Sequence, residues 1–199
     1  MLRPTNNNIV IDPLPVTGDL PKDINSIQRW CKVLAVGPGV ITPFGKEIIS
    51  PPFEEGDYVY AMAHGLLPIH TDAELVCGDK TQKFIINELD IILKTSKLDN
   101  QELFTPIGNF VLIEKLEVPD IDIYIPSDSK MPSNRGRVIK LGTGWRTMSG
   151  DIVPFQVSEG DIVIFDPLRT VKVDATTIGF DKQYHLIMHT DIFGVLEND

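Results

Sequence analysis

The chain has 199 residues, 42% of them hydrophobic and 23% charged, with a formal net charge of −10. That length suits one large domain or two of roughly 100 residues, and the composition excludes disorder over the whole chain. Both halves are acidic, which argues against a nucleic-acid partner, and no apolar run approaches the roughly 20 residues of a membrane-spanning helix.

Fifteen Gly and fifteen Pro lie between short Val/Ile-rich runs, a pattern that predicts an all-β chain with many turns. The first strand is expected at Ile9-Val-Ile11, a run too short for a helix and rich in β-branched residues. A segment from Asp12 to Arg29 follows, carrying Pro13, Pro15 and Pro21. Trp30-Cys-Lys-Val-Leu-Ala-Val-Gly-Pro-Gly39 reads as a second strand ending in a glycine turn, with a hairpin turning at Pro43-Phe-Gly45. Glu55-Gly-Asp57 is a further turn signal before Tyr58, and Ile86-Asn-Glu-Leu-Asp-Ile91 ends this first series. The polar stretch Thr95-Ser-Lys-Leu-Asp-Asn-Gln101 reads as a linker.

The series then repeats. Pro106-Ile-Gly-Asn-Phe-Val-Leu-Ile113 aligns with Pro4-Thr-Asn-Asn-Asn-Ile-Val-Ile11, and Val138-Ile-Lys-Leu-Gly-Thr-Gly144 aligns with Val33 to Gly39. Glu159-Gly-Asp-Ile-Val163 matches Glu55-Gly-Asp-Tyr-Val59, and Ile187-Met-His-Thr-Asp-Ile192 matches Ile86 to Ile91. Four ordered blocks at offsets of 101 to 105 residues identify a tandem duplication. The expected organisation is a barrel over 1–95, a linker over 96–103 and a second barrel over 104–199. A hairpin turning at Ser149-Gly150-Asp151 is expected in the second copy, and no stretch is amphipathic over enough residues for a helix.

Residues able to do chemistry are scattered. His64, His70, His185 and His189 do not form a ligand spacing with Cys or carboxylates, so surface or barrel-rim histidines are expected rather than a metal site. Cys31 and Cys77 lack a C-x-x-C spacing and read as buried free thiols. Asp120 and Asp122 sit in a polar loop with nothing to separate their pKa values. The glycine turns lack the Lys-Ser/Thr of a phosphate-cradling loop. No cofactor, metal or enzymatic activity is expected.

From about Pro106 to Glu197 the chain resembles the ten-kilodalton co-chaperonins of the GroES family. The residues that carry the resemblance are Arg135-Gly-Arg-Val138, Leu141-Gly-Thr-Gly144, Val157-Ser-Glu-Gly-Asp-Ile-Val-Ile-Phe165 and His185-Leu-Ile-Met-His-Thr-Asp-Ile192. In the first half Leu2-Arg-Pro4 with Ile9-Val-Ile11 is similar to the family's opening strand, but later blocks diverge, with Ala61 standing where Phe165 does. The resemblance implies two tandem GroES-like small β-barrels. It also implies a mobile loop whose hydrophobic tripeptide docks on a GroEL-like chaperonin ring, and self-association into a ring homo-oligomer.

The matching loop runs from Glu117 to Asn134, with Ile123-Tyr124-Ile125 at the tripeptide position. On periodicity alone, Ile121, Ile123 and Ile125 also fit one face of an alternating strand, and the Gly-Gly pair that usually precedes the tripeptide is replaced by Ile121-Asp122. A structural or assembly ring protein that has given up chaperonin binding, such as a phage virion component, is the alternative function. The shorter first-half loop has no comparable tripeptide, which favours placing the first barrels in a second tier over setting all barrels side by side in one ring. With no signal-peptide core or transit segment read in residues 1–20, the expected location is cytoplasmic, the host cytoplasm if the gene is a phage's.

Overall fold

A computed structural model of the chain describes residues 2–14, 29–41, 48–62, 66–69, 83–100, 104–116, 133–173 and 183–196. Regular structure among them is β-strand with short 3₁₀ turns, and all strand pairs are antiparallel.

The first half contributes β1 (Asn8–Pro13), β2 (Arg29–Val36), a small hairpin β3 (Val40–Ile41) and β4 (Ile48–Ile49), then β5 (Tyr58–Ala61), β6 (Leu67–Pro68), β7 (Phe84–Asn87) and β8 (Ile91–Thr95). After β9 (Thr105–Pro106), the second half repeats the set. It comprises β10 (Phe110–Lys115), β11 (Arg135–Leu141), the hairpin β12 (Trp145–Arg146) and β13 (Ile152–Val153), β14 (Ile162–Phe165), β15 (Val171–Lys172), β16 (His185–Met188) and β17 (Ile192–Leu196). The first sheet runs β6-β7-β1-β2-β5-β8-β9 and the second β15-β16-β10-β11-β14-β17. Apart from β9, the two orders are the same.

The correspondence extends to irregularities. The β1–β2 ladder shifts register between Val10 and Ile11, and the β10–β11 ladder shifts between Leu112 and Ile113. The β5–β8 and β14–β17 ladders shift at Tyr60/Ala61 and Ile164/Phe165. Bulges re-aim side chains and bend a strand, so their recurrence at matched positions marks one barrel design used twice. The turns agree too. The Asp57 carboxylate accepts from the Glu54 amide at 3.0 Å as Asp161 accepts from Ser158 at 2.8 Å, with Gly56 and Gly160 at φ +97° and +93°. Those are the Glu-Gly-Asp turns read from the sequence, with glycine where an L side chain is strained.

Each sheet wraps an apolar cluster to form a small barrel. Ile9, Ile11, Cys31, Val59, Phe84 and Ile86 lie in the first core, and Val111, Ile113, Val138, Val163, Phe165 and Ile187 in the second. The middle residues of β1 and β10 are buried in unbroken runs because these strands are covered on both faces. In β10, Val111 and Ile113 face the barrel interior while Leu112 joins a third cluster with Trp30, Tyr60, Leu93, Phe104 and Leu186. That third cluster draws side chains from both halves and joins them.

The chain passes between the halves in a way the polar linker does not reveal. Thr105 and Pro106 pair with Lys94 and Leu93, so β9 extends the first sheet. Ile107 follows it into the first barrel's core. Tyr60 Oη donates to the Lys172 carbonyl at 3.4 Å, a further tie across the joint.

Candidate functional site

Between β10 and β11 the described backbone closes on both sides of residues 117–132. The Lys115–Gly136 pair ends the ladder, the Leu116 amide donates to the Arg135 carbonyl at 3.0 Å, and Ser133 Oγ donates to the Leu116 carbonyl. The Phe165 amide donates to the Asn134 carbonyl at 3.0 Å, tying the descending end to β14. Ile123, Tyr124 and Ile125 lie outside the described residues, as do Asp120, Asp122, His64, His70 and Cys77. The structure therefore defines the two posts from which this segment leaves and re-enters the barrel. The first half has the same posts, with the Leu14 amide donating to the Trp30 carbonyl at 2.9 Å around residues 15–28.

A basic cluster underlies the second pair of posts. Lys115 Nζ donates to Thr170 Oγ1 at 3.1 Å and stands 5.9 Å from the centre of the Phe165 ring, and burial lowers its pKa. His185, paired with Ile113 and Lys172 across the sheet, has a half-buried ring whose Nδ1 makes no hydrogen bond. Burial first, then the charges of Lys115 and Lys172, pull its pKa down to about 4. The site thus holds a neutral imidazole at physiological pH. His189 lies elsewhere, accepting from the Gln156 amide at 3.2 Å and meeting Phe155 edge-on at 5.1 Å. The two histidines share no function by geometry, and among the described residues no three metal-ligating side chains come together.

At the opposite end of β11 stands the β12–β13 hairpin, which turns through Ser149-Gly150-Asp151 as its sequence indicates. Its Trp145, Met148, Ile152 and Val153 are exposed, as are Ile41 and Ile48 on the matching first-half hairpin. Beside it a cleft of about 430 Å³ opens between the halves, lined by Pro52, Glu88, Ile107, Phe110, Trp145 and Arg146 among others. Burial raises the Glu88 pKa, partly opposed by the Arg146 guanidinium, and Asn7 Nδ2 donates to its carboxylate at 2.6 Å. The sequence identified the hairpin but not this apolar exposure, which strand periodicity cannot signal in a two-residue strand.

Residues 103–196 match the family described as Cpn10, the chaperonin 10 Kd subunit. The co-chaperonin GroES of Halalkalibacterium halodurans is 32% identical over 98 residues, 47% of this chain and 99% of that protein. The chain belongs to the GroES co-chaperonin family. GroES of Deinococcus radiodurans is 31% identical over 100 residues, 48% of this chain and all of its own length. GroES of Thermus thermophilus is 32% identical over 96 residues, covering 46% and 90%. About half of this chain thus spans nearly the whole length of a GroES protein, and the two barrels of this protein are GroES-like. The family is a non-enzymatic one, with a co-chaperonin role. No helix among the described residues is long and apolar enough to cross a membrane.

Proposed function

We propose that the protein caps an ATP-bound, GroEL-like chaperonin ring through the segment between β10 and β11, and that Ile123, Tyr124 and Ile125 are its docking residues. The observation that carries this reading is the placement of that segment. It lies inside the matched residues 103–196, between two strands tied together at its base. An apolar triplet among Asp120, Asp122, Ser127, Asp128 and Lys130 is costly to expose unless a partner covers it. Each docking event is weak, because ordering the segment offsets part of the contact energy. Several segments carried on one ring act together, and avidity then exceeds single-site affinity by roughly 10²–10⁴. Weak units with a collective grip allow release when the chaperonin changes state.

In this reading residues 1–95 and 104–199 form the two barrels, joined through 96–103, and the protein works in the cytoplasm. ATP-dependent co-sedimentation with a GroEL-type ring tests it. Retention with ATP and loss without nucleotide supports capping, whereas no retention in either state removes it. A second reading, an assembly ring without chaperonin binding, is favoured by one fact: the family match is confined to 103–196, leaving the first half free to have diverged. Co-sedimentation separates the two.

A further inference from the structure

The cleft between the two halves holds a pair of charges that the duplicated barrel design does not need. Glu88 comes from the short turn after β7 in the first half, and Arg146 comes from β12 in the second. In the repeat, the position of Glu88 is taken by His189 and that of Arg146 by Ile41, so neither barrel requires a charge there. The pair belongs to the joint.

Both groups are held in place without neutralising each other. The Glu88 amide donates to the Asn7 carbonyl at 3.0 Å, and Asn7 Nδ2 donates to one oxygen of the Glu88 carboxylate at 2.6 Å. Asn87 Oδ1 accepts from the Leu89 amide at 3.1 Å and fixes the turn. In the opposite half, Arg146 Nη1 donates to the Gly150 carbonyl at 3.0 Å. Among the described residues, the two side chains form no ion pair with each other or with a third group. Burial disfavours the charged form of Glu88, which a ligand bringing positive charge would restore.

Between the charges the cleft is apolar. It is lined by Ile91 and Ile107, both buried, and by Pro52, Phe110 and the exposed Trp145. Its turns are tied together, the Gly108 amide donating to Thr143 Oγ1 at 3.0 Å and the Gly144 amide to the Gly108 carbonyl at 2.9 Å. A volume of about 430 Å³ suits a small molecule, and apolar walls with a few placed polar groups are the usual make-up of such sites.

We propose that this cleft binds a small apolar zwitterion, either a free apolar amino acid or an apolar dipeptide. The ligand's ammonium meets the Glu88 carboxylate, its carboxylate meets the Arg146 guanidinium, and its side chain lies against Ile91, Ile107 and Phe110 beside the Trp145 indole. A simple anion would be repelled by Glu88 and a simple cation by Arg146, whereas a ligand carrying both charges matches both. One charge belongs to each half, so the bound ligand bridges the joint and stabilises the folded chain by mass action. The proposal goes beyond chaperonin docking and does not rest on it.

Trp145 reports on the site, because the other tryptophan, Trp30, is 1% exposed. Leucine and leucyl-leucine, neither of which fluoresces, are titrated into the full-length protein at millimolar concentrations. At least one should change the emission saturably and raise the unfolding midpoint, and the tighter of the two identifies the source as free amino acid or peptide fragment. Leucinamide lacks the carboxylate and N-acetylleucine lacks the ammonium, and each should bind about 10-fold or more weakly. Glu88→Gln and Arg146→Gln should lose a similar factor with strand content unchanged by circular dichroism. Silence of both probes in emission and in midpoint overturns the proposal. Equal binding of N-acetylleucinamide, which carries neither charge, overturns it too, as does undiminished binding by both variants. An emission change that persists in Trp145→Phe arises elsewhere and also counts against the site.

Discussion

The rings of Trp30 and Phe104 stand 5.3 Å apart at a tilt of 43°, joining β2 of the first barrel to the residue just before β9. The Tyr60 ring also stands 5.3 Å from the indole, at a tilt of 55°. All three are buried, and each large side chain removed from water contributes about 1.5–3 kcal/mol. The two barrels are therefore expected to unfold as one cooperative unit. Phe104→Ala should cost about 3–5 kcal/mol and split the urea transition into two, one per barrel. A single transition shifted by less than about 1 kcal/mol would show that the joint contributes little.

The glycine turns permit a sharper comparison. Gly144 has φ +89°, and an added Cβ would meet Ile152 Cγ2 at 2.6 Å and the Val153 carbonyl oxygen at 3.0 Å. Gly160 has φ +93° but open space around it. Gly160→Ala should lose about 1 kcal/mol from backbone strain alone, and Gly144→Ala should lose more, since the β12–β13 hairpin must also shift. Thermal unfolding of the two variants side by side reads the difference. Equal losses would mean that the hairpin yields freely.

His185 gives the fold a pH dependence of defined sign. Its imidazole stays neutral in the folded protein down to about pH 4, while an unfolded histidine takes up its proton near 6.5. The unfolded state therefore binds more protons between those values, and stability falls as pH drops from about 6.5 towards 4. Solvent screening of a half-exposed ring keeps the effect well below the full value of the shift. Urea midpoints measured from pH 7 to 4.5 should fall less steeply for His185→Gln than for wild type. Parallel curves would assign the acid sensitivity to other groups.

Much of this architecture is legible in the residues. The Glu-Gly-Asp turns, the Val-x-x-x-Gly-x-Gly strands and the run Ile9-Val-Ile11 specify local geometry that depends on few distant contacts, and each appears in the structure where its pattern places it. The joint was not legible. Thr105-Pro106 is too short to carry a strand period, and Phe104 reads as one apolar residue at the edge of a polar stretch. Its burial is a property of β8's open edge, more than ten residues upstream, and of Trp30 and Tyr60, which periodicity assigns only to their own barrel. The exposure of Phe193 and Leu2 is hidden for the same reason, because it depends on what packs nearby and not on the local pattern. The docking triplet is different again: Ile123-Tyr124-Ile125 was found by its position in a family pattern, and residues 117–132 lie outside those the structure describes.

The central claim is therefore tested on that triplet. The ATPase rate of a GroEL-type chaperonin and its yield of a refolded client are measured with wild-type protein and with the Ile123→Ser/Ile125→Ser double variant. Wild type should alter the ATPase rate and raise the refolding yield, and the variant should lose at least 10-fold in apparent affinity while keeping its unfolding midpoint. A double variant as effective as wild type, or a wild type without effect on either measure, contradicts the account.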